Sequence, residues 1–284
     1  MSVENTIAYQ GEPGANSDMA CRAALPNMQT LGCYSFEDAF AAVHNGKARL
    51  AMIPIDNSVA GRVADIHHLL PASRLKIIGE HFQRVDHHLL ALPGTSIGDL
   101  THVHSHVHAL NQCRNLIKDL QVKPVVHADT AGAAHMIKDQ NDPTQGAIAS
   151  VLAGEIYGLQ TLRANIEDAE HNTTRFLIMA AEAQQPPSKS KDGKIITSFV
   201  FRVKNMPAAL YKALGGFATN GINMTKLESY IVGGSFQAAQ FYAEVEGDPQ
   251  ERPMKLAFDE LAYFTHEIKI MGTYLAAMER DTIG

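Results

Sequence analysis

A nearly unbroken apolar run at residues 50–55 limits the folds open to this chain more than any other segment. A strand with apolar residues at successive positions must be covered on both faces, which is typical of a mostly parallel sheet flanked by helices. Asp56, Asn57 and Ser58 follow the run directly. Because ligands of open α/β sheets bind outside the carboxyl ends of the strands, these three residues are candidates for a binding site. An Asx turn before a helix explains them equally well, and the two roles are compatible.

The rest of the first 183 residues alternates between short apolar runs and helical patterns, which predicts an α/β fold. The predicted strands lie at 6–10, 75–81, 87–92, 122–126 and 147–150, and the predicted helices at 36–45, 62–70, 107–119, 130–138 and 151–157. The two strands between 75 and 92 suit a crossover between two lobes. A glycine-rich loop after residue 10 is expected to present backbone N–H groups to an anion.

Composition favours small-molecule chemistry in the cytoplasm. The net charge is -6 and the sequence pI is near 6.1, so we expect no binding to nucleic acid or to an anionic membrane surface. The first residues lack the basic and apolar regions of a signal peptide. Three cysteines without paired spacing indicate buried thiols and neither a disulfide framework nor a zinc site.

A change in composition at residues 184–193 predicts a linker between domains 1–183 and 194–284. Beyond it, the predicted elements are a strand at 195–203, a helix at 207–218, a hairpin of strands 223–232 and 235–245 around Gly233-Gly234, a helix at 251–264 and a strand at 268–274. This order, βαββαβ, is the ferredoxin-like arrangement.

The segment 171–179 passes from polar residues directly into an apolar run with the pattern of a buried strand. A buried strand is rigid, so side chains at its entrance are held in fixed positions. Arg175 beside Thr173 and Thr174 suits the binding of a carboxylate with hydroxyl groups nearby. The segment also matches the N-glycosylation pattern at Asn172, but without a secretory signal that interpretation has little support.

Residues 174–176 resemble the Thr-Arg-Phe signature of prephenate dehydratases, and four other segments resemble motifs of the same family in the same order. These segments are 9–17, 54–63, 105–110 and 129–134. Two positions depart from the family pattern, with Asp56 where glutamate is usual and Val107 where proline is usual. The shorter reach of Asp56 leaves open whether it plays the same part as the glutamate.

The resemblance implies a two-lobed catalytic domain similar to periplasmic binding proteins, with a central cleft, followed by a ferredoxin-like ACT regulatory domain. It implies conversion of prephenate to phenylpyruvate with loss of carbon dioxide and water, and that reaction requires no metal and no organic cofactor. The implied catalytic residues are Thr174, Arg175, Asn57, Ser105 and Thr130. The implied substrate-binding residues are Asp56, Ser58, Asn172, Thr173 and Phe176.

The resemblance also implies phenylalanine as an effector and a homodimer or homotetramer. The implied effector site comprises Ala208, Ala209, Leu210, Asn223, Glu228 and Ser229. Its two motifs are altered here, because Ala208 replaces a glycine and Tyr230 replaces an arginine. The first change restricts the backbone and the second removes a forked hydrogen-bond donor.

Three alternatives stay open at this level. Arogenate dehydratases share the motifs and differ in a substrate amino group, and a two-lobed amino-acid sensor would share the fold without the chemistry. The histidines at 102, 104, 106 and 108 would share one face of a strand and make a metal site conceivable. A helix capped by Ser105 is the stronger interpretation of that run. Thr130 stands at another predicted strand-to-helix junction, where its hydroxyl can both cap the helix and bind a ligand.

Overall fold

The computed structural model describes residues 3–169, 171–184, 193–232 and 235–281. The chain divides into two compact units, Met1–Val63 with His81–Phe176, and Ala64–Glu80 with Leu177–Gly284. The predicted linker at 184–193 lies almost wholly outside the described residues, so the boundary there stays a prediction. No helix in the described ranges is long and apolar enough to cross a membrane.

The elements of the first 184 residues alternate as the sequence predicts. In chain order they are β1 (Thr6–Gln10), α1 (Asn16–Ala24), β2 (Gln29–Cys33), α2 (Phe36–His44), β3 (Leu50–Asn57), β4 (Gly61–Arg62), α3 (Ala64–Leu69), β5 (Lys76–Arg84), β6 (His88–Ala91), β7 (His102–Ser105), α4 (Val107–Gln112), α5 (Arg114–Leu120), β8 (Lys123–Val126), α6 (Thr130–Gln140), β9 (Gln145–Ala149), α7 (Val151–Tyr157), β10 (Gln160–Arg163) and β11 (Thr173–Ala180).

These strands form two sheets, and each sheet is the centre of one lobe. The first has the order β2-β1-β3-β11-β5 with β4 beside β3, and the second has the order β10-β6-β9-β7-β8. Strand β1 is parallel to β2 and β3, and β7 is parallel to β8 and β9. The chain leaves the first sheet after β5 and returns to it at β11. The predicted two-lobed α/β fold with a crossover near residues 75–92 is therefore confirmed.

Helices cover both faces of the second sheet. Alternate residues of β6 and β9 belong to two different apolar clusters: Leu90 and Ala147 pack with α6 and α7, and Leu89 and Ile148 pack with α4 and α5. Successive side chains of a strand point to opposite faces, so this alternation places one core on each side of the sheet. The run at 50–55 is likewise buried, with Ala51, Met52, Ile53 and Ile55 fully excluded from solvent.

The C-terminal elements are β12 (Ile195–Val203), α8 (Ala209–Thr219), β13 (Met224–Val232), β14 (Ser235–Glu246), α9 (Arg252–Phe264) and β15 (Thr265–Leu275). They form a four-stranded antiparallel sheet in the order β13-β14-β12-β15, which confirms the ferredoxin-like arrangement. Gly233 and Gly234, predicted as the hairpin turn, lie outside the described residues.

A buried charge network lies within the second compact unit, which comprises Ala64–Glu80 and Leu177–Gly284. Glu80 and Glu244 are 8% and 0% exposed, and both accept hydrogen bonds from the Arg280 guanidinium, at 2.7 and 2.9 Å. Removing one partner of such a group leaves an uncompensated buried charge, which typically costs about 3–5 kcal/mol. The turn that carries Arg280, Met278–Asp281, is thereby fixed to the unit.

Three predicted helices begin or end elsewhere. The helix predicted at 62–70 begins at Ala64, because Gly61 and Arg62 pair with β3 as strand β4. The helix predicted at 107–119 breaks at Cys113, because the Asp168 carboxylate accepts the N–H groups of Arg114 and Asn115 and so starts α5 afresh. The helix predicted from residue 207 begins at Ala209, because Ala208 has a left-handed backbone with φ 56°. The break at Cys113 and the start of α8 at Ala209 have no local sequence signature. The first depends on a carboxylate distant in sequence, and the second depends on an alanine in an unfavourable left-handed conformation.

Candidate active site

The side chain of Asn57 organises the polar residues at the carboxyl end of β3. Its Oδ1 accepts the backbone N–H groups of Val59 and Ala60, at 3.0 and 2.7 Å, which is the Asx turn that the sequence indicates. Because backbone N–H groups can only donate, they fix which atom of the amide is the oxygen. The Nδ2 group therefore faces the other way and donates to Asn172 Oδ1 at 2.8 Å and to Thr174 Oγ1 at 2.9 Å.

This arrangement determines what the hydroxyl of Thr174 can do. Its oxygen accepts a hydrogen bond from Asn57 Nδ2, so its own proton is available to another acceptor. The backbone around it is held by reciprocal bonds, from Ser58 N–H to the Thr173 carbonyl and from Thr173 N–H to Ser58 Oγ, both 2.9 Å. The Ser58 hydroxyl in turn donates to the carbonyl of His171. The end of β3 and the start of β11 thus form one rigid polar edge.

Asn172 connects this edge to the second lobe. It is 3% exposed, and its Nδ2 donates to Gln112 Oε1 at 2.8 Å. The same oxygen lies 2.8 Å from His87 Nε2. Gln112 is the last residue of α4, and a glutamine at the end of a helix is too ordinary to be selected from the sequence. No motif marks His87 either, so neither residue was predicted from the sequence.

Arg175 is buried and ion-paired. It is 8% exposed, its Nη1 lies 3.6 Å from Asp56 Oδ2, and its guanidinium carbon lies 6.0 Å from the centre of the Phe82 ring. A buried guanidinium requires such a partner, because desolvation of an unpaired charge is costly. The adjacent Phe176 is 1% exposed and belongs to the core.

Ser105 and Thr130 lie in the second lobe, and among the described residues no hydrogen bond joins either side chain to Asn57 or Thr174. The predicted capping role of Ser105 is wrong: its hydroxyl donates to the Ile148 carbonyl at 2.6 Å, and His106 caps α4. Asp129 instead of Thr130 caps α6, by accepting the N–H of Gly132 at 2.6 Å. Charged Asp129 is the stronger acceptor, which explains the difference.

The four histidines at 102–108 do not share one strand face, because β7 ends at Ser105 and α4 begins at Val107. His104 Nε2 is bound to Gln145 at 2.8 Å, and His102 Nδ1 to Thr101 at 2.8 Å. Within the described ranges, no group of three or more His, Cys, Asp or Glu side chains is arranged around a metal position.

The glycine-rich loop is held by the second lobe, and its role in presenting N–H groups to an anion stays a prediction. The Ser150 hydroxyl donates to the Gly14 carbonyl at 2.5 Å, and the Tyr157 hydroxyl to the Pro13 carbonyl at 3.0 Å. The N–H of Gly14 donates to the fully buried carboxylate of Asp18 at 2.9 Å. A Cβ at Gly14 would lie 2.7 Å from the Ala153 Cα, so only glycine allows this approach between the lobes.

A cavity of about 490 Å³ lies where the same loop region meets the start of α6. Glu12 and Tyr34 line it from the first lobe, and His127, Asp129 and His135 from the second. The Nδ1 atom of His127 is buried without a hydrogen-bond partner in the described structure. The space is large enough for a small metabolite.

The implied effector residues occupy the start of α8 and strand β13. Ala208 precedes α8 in the left-handed region, where φ is 56°, so the chain keeps the turn for which glycine is the usual residue. Glu228 lies on β13, 3.4 Å from Lys226 Nζ. Tyr230 is 8% exposed and lies against the rings of His67 and His68, at 6.2 and 5.7 Å. Its buried ring cannot replace a forked donor.

The chain is similar over most of its length to proteins of known sequence and structure. Residues 7–184 match the family model described as prephenate dehydratase. The bifunctional N-acyl-homoserine lactone acylase/prephenate dehydratase of Komagataeibacter europaeus is 50% identical over 277 residues, or 98% of each chain. Arogenate dehydratase/prephenate dehydratase 1 of Arabidopsis thaliana is 38% identical and covers 94% of this chain and 71% of its own length. The prephenate dehydratase of Arthrobacter aurescens, solved in complex with L-Phe, has a TM-score of 0.86 at 25% identity and covers 97% of this chain and 91% of its own.

Proposed function

Because the chain belongs to the prephenate dehydratase family, we propose that it converts prephenate to phenylpyruvate, carbon dioxide and water. In this reaction the ring carboxylate leaves as carbon dioxide and its bonding electrons move into the ring. The ring hydroxyl departs as the carbon–oxygen bond breaks, and it takes up one proton to form water. The ring becomes aromatic, which supplies much of the driving force. The enzyme must therefore deliver one proton to the departing hydroxyl and hold two carboxylates.

The hydrogen bond from Asn57 Nδ2 to Thr174 Oγ1 carries this proposal. It leaves the Thr174 proton as the one to be donated to the leaving hydroxyl. A threonine hydroxyl is a weak acid, so the proton moves as the carbon–oxygen bond breaks and not before it. The Thr174 oxygen, still hydrogen-bonded by Asn57 Nδ2, then takes a proton back from solvent before the next turnover. The fixed orientation removes the entropic cost of aligning donor and leaving group.

Arg175 is the proposed source of positive charge for a substrate carboxylate. Its pairing with Asp56 holds the guanidinium in one place, at 3.6 Å between Nη1 and Oδ2. A guanidinium has five N–H donors, so one that is positioned by a carboxylate can also bind an anion. Ser105, Thr130 and Phe176 stay predicted site residues that rest on the family resemblance.

Arogenate is the second candidate substrate, because the name of the Arabidopsis relative includes both activities. Both compounds lose the same carboxylate and hydroxyl, so the proposed role of Thr174 is the same for each. A single assay separates them: purified protein is incubated with prephenate or with arogenate, and phenylpyruvate and phenylalanine are measured.

Two variants of Thr174 test the proton donor in that assay. Thr174→Val keeps the shape and removes the hydroxyl, and kcat is expected to fall by about 10²–10⁴-fold. Thr174→Ser keeps the hydroxyl and is the matched control, with a kcat close to that of the wild type. Full activity of the valine variant would refute the role of Thr174. Wild-type protein that binds but turns over neither compound would leave the amino-acid sensor as the explanation of the fold.

Hydrolysis of N-acyl-homoserine lactones is a second candidate activity, favoured by the 50% identity to the bifunctional Komagataeibacter protein over 98% of each chain. Release of homoserine lactone from an acylated substrate, followed by mass spectrometry, tests it. No release above a blank reaction would remove this candidate without affecting the dehydratase proposal.

We further propose that the protein works in the cytoplasm, forms a homodimer or homotetramer, and binds phenylalanine as an effector. The L-Phe complex of the Arthrobacter relative supports the effector, and the left-handed Ala208 supports a preserved turn in the effector motif. Tyr230 in place of the arginine argues for weaker binding. Turnover measured against phenylalanine concentration, with the oligomer followed by light scattering, tests both points. A rate independent of phenylalanine would exclude the regulatory proposal.

A further inference from the structure

The orientations of three side-chain amides in the candidate active site can be deduced from two backbone N–H groups. Val59 and Ala60 donate to Asn57 Oδ1, so Asn57 Nδ2 must point to Asn172. Asn172 then accepts through Oδ1, so its Nδ2 points to Gln112. Gln112 must present Oε1 to that donor. Each step leaves one orientation, because two facing donors or two facing acceptors would repel.

The last hydrogen bond of this series joins Gln112 to His87. Gln112 Oε1 accepts from Asn172, and the second atom within hydrogen-bond distance of it is His87 Nε2, at 2.8 Å. An amide oxygen only accepts, so Nε2 of His87 must carry a proton. The hydrogen bonds therefore run in one connected series from His87 through two amides to Asn57, and from Asn57 to the hydroxyl of Thr174.

The position of the His87 ring is itself fixed by its surroundings. The residue is 3% exposed, its N–H donates to Glu167 Oε2 at 2.9 Å, and its carbonyl accepts the N–H of Ile166 at 3.0 Å. A buried ring on a restrained backbone is a fixed hydrogen-bond donor. It is better suited to orient Gln112 than a water molecule, which has no fixed direction.

We infer that His87 is a positioning residue for the dehydratase reaction: its Nε2–H orients Gln112, and through Asn172 and Asn57 it aims the Thr174 hydroxyl at the leaving group. This inference rests on the proposed function. His87 touches neither substrate nor the reacting atoms in this scheme. Replacement of His87 is expected to lower kcat and to leave KM unchanged, because the hydrogen-bond series ends at the proton that moves in the transition state.

Four variants test the inference. His87→Leu removes the donor, and kcat is expected to fall about tenfold with KM unchanged, the effect of one withdrawn hydrogen bond of about 1.4 kcal/mol. His87→Gln places an amide N–H near the position of Nε2 and is expected to restore most of kcat. Adding His87→Leu to Gln112→Leu is expected to lower kcat no further, because the series is already broken at Gln112.

Two outcomes would overturn the inference. The first is an equal loss in His87→Leu and His87→Gln, which would indicate packing instead of hydrogen bonding. The second is a double variant whose losses multiply, which would show that His87 acts independently of Gln112. Thermal unfolding of each variant identifies any that fails to fold.

A measurement without substrate separates failure of this inference from failure of the proposed function. Nitrogen NMR of the imidazole at neutral pH is expected to show His87 as the neutral tautomer with its proton on Nε2, and that signal is expected to shift in Gln112→Leu. A proton on Nδ1 instead would refute the series even if prephenate is turned over. The expected tautomer in a protein that turns over neither substrate would refute the function and leave the geometry intact.

Discussion

Replacing Asn57 by aspartate reverses one hydrogen bond at the candidate site while the rest of its turn stays in place. The carboxylate keeps an oxygen for the N–H groups of Val59 and Ala60, now at 3.0 and 2.7 Å. A second oxygen takes the place of Nδ2, which lies 2.8 Å from Asn172 Oδ1 and 2.9 Å from Thr174 Oγ1. Asn57→Asp therefore isolates the contribution of Nδ2.

The size of the effect follows from these contacts. The hydrogen bond of about 1 kcal/mol to Asn172 Oδ1 is lost, and the two acceptor oxygens left facing each other there add to that loss, so the free energy of unfolding is expected to fall by about 2–3 kcal/mol. The Thr174 hydroxyl can now donate to the introduced carboxylate, which is a stronger acceptor than the departing hydroxyl. Loss of the proton donor is expected to lower kcat by about 10²–10⁴-fold.

Steady-state kinetics with prephenate and thermal unfolding measure the two effects. Exposed Asn45 provides a matched control, because Asn45→Asp adds the same charge away from the site. The activity of Asn57→Asp relative to wild type is expected to rise as pH falls, because protonation of the introduced carboxyl restores an O–H donor. A variant with wild-type kcat at neutral pH would refute the assigned direction of the bond between Asn57 and Thr174.

Three further predictions concern stability. Ala208→Gly is expected to raise the free energy of unfolding by about 0.5–1 kcal/mol in urea titrations, because glycine relieves the left-handed strain at φ 56°, and an unchanged midpoint would contradict it. Gly272→Ala is expected to cost about 3 kcal/mol or more, because its Cβ would lie 2.0 Å from the Ile77 carbonyl oxygen, whereas Gly98→Ala, with nothing within 4 Å, is a near-neutral control. Burial lowers the pKa of His87 below its ordinary 6.5, although the hydrogen bond to Gln112 acts in the opposite direction. As pH falls, His87 is therefore protonated more readily in the unfolded chain than in the folded chain. The wild type should thus lose more stability on acidification below about 6.5 than His87→Gln does, and equal losses would refute this assignment.

Local patterns in the sequence were sufficient for the elements and the fold class. The apolar run at 50–55 predicts a strand covered on both faces, and it is buried in the first sheet. The order of elements after residue 193 predicts the ferredoxin-like sheet, and the pairing confirms it. Both inferences depend on hydrophobic periodicity and element order, which are properties of neighbouring residues.

The motif at 171–179 also identified residues that the fold brings together, since Asn172 and Thr174 both contact Asn57. The caps were predicted less well. Ser105 and Thr130 are hydroxyls at strand-to-helix junctions, yet His106 and Asp129 cap the helices that follow them. Which of two adjacent polar residues becomes the cap depends on the residue at which the strand ends and the helix begins.

By itself, the sequence determined the alternating α/β elements, the C-terminal βαββαβ order and the polar residues at the ends of β3 and β11, because periodicity and local order decide these features. Only the tertiary structure decided that Gln112 and His87 complete the hydrogen-bond series to Thr174, since they stand 60 and 25 residues from their partners in that series. It alone also decided that Ser150 and Tyr157 of the second lobe bind the carbonyl groups of the glycine-rich loop. These outcomes depend on which donors and acceptors meet once the lobes are packed, and the requirement that buried polar groups be paired acts only then.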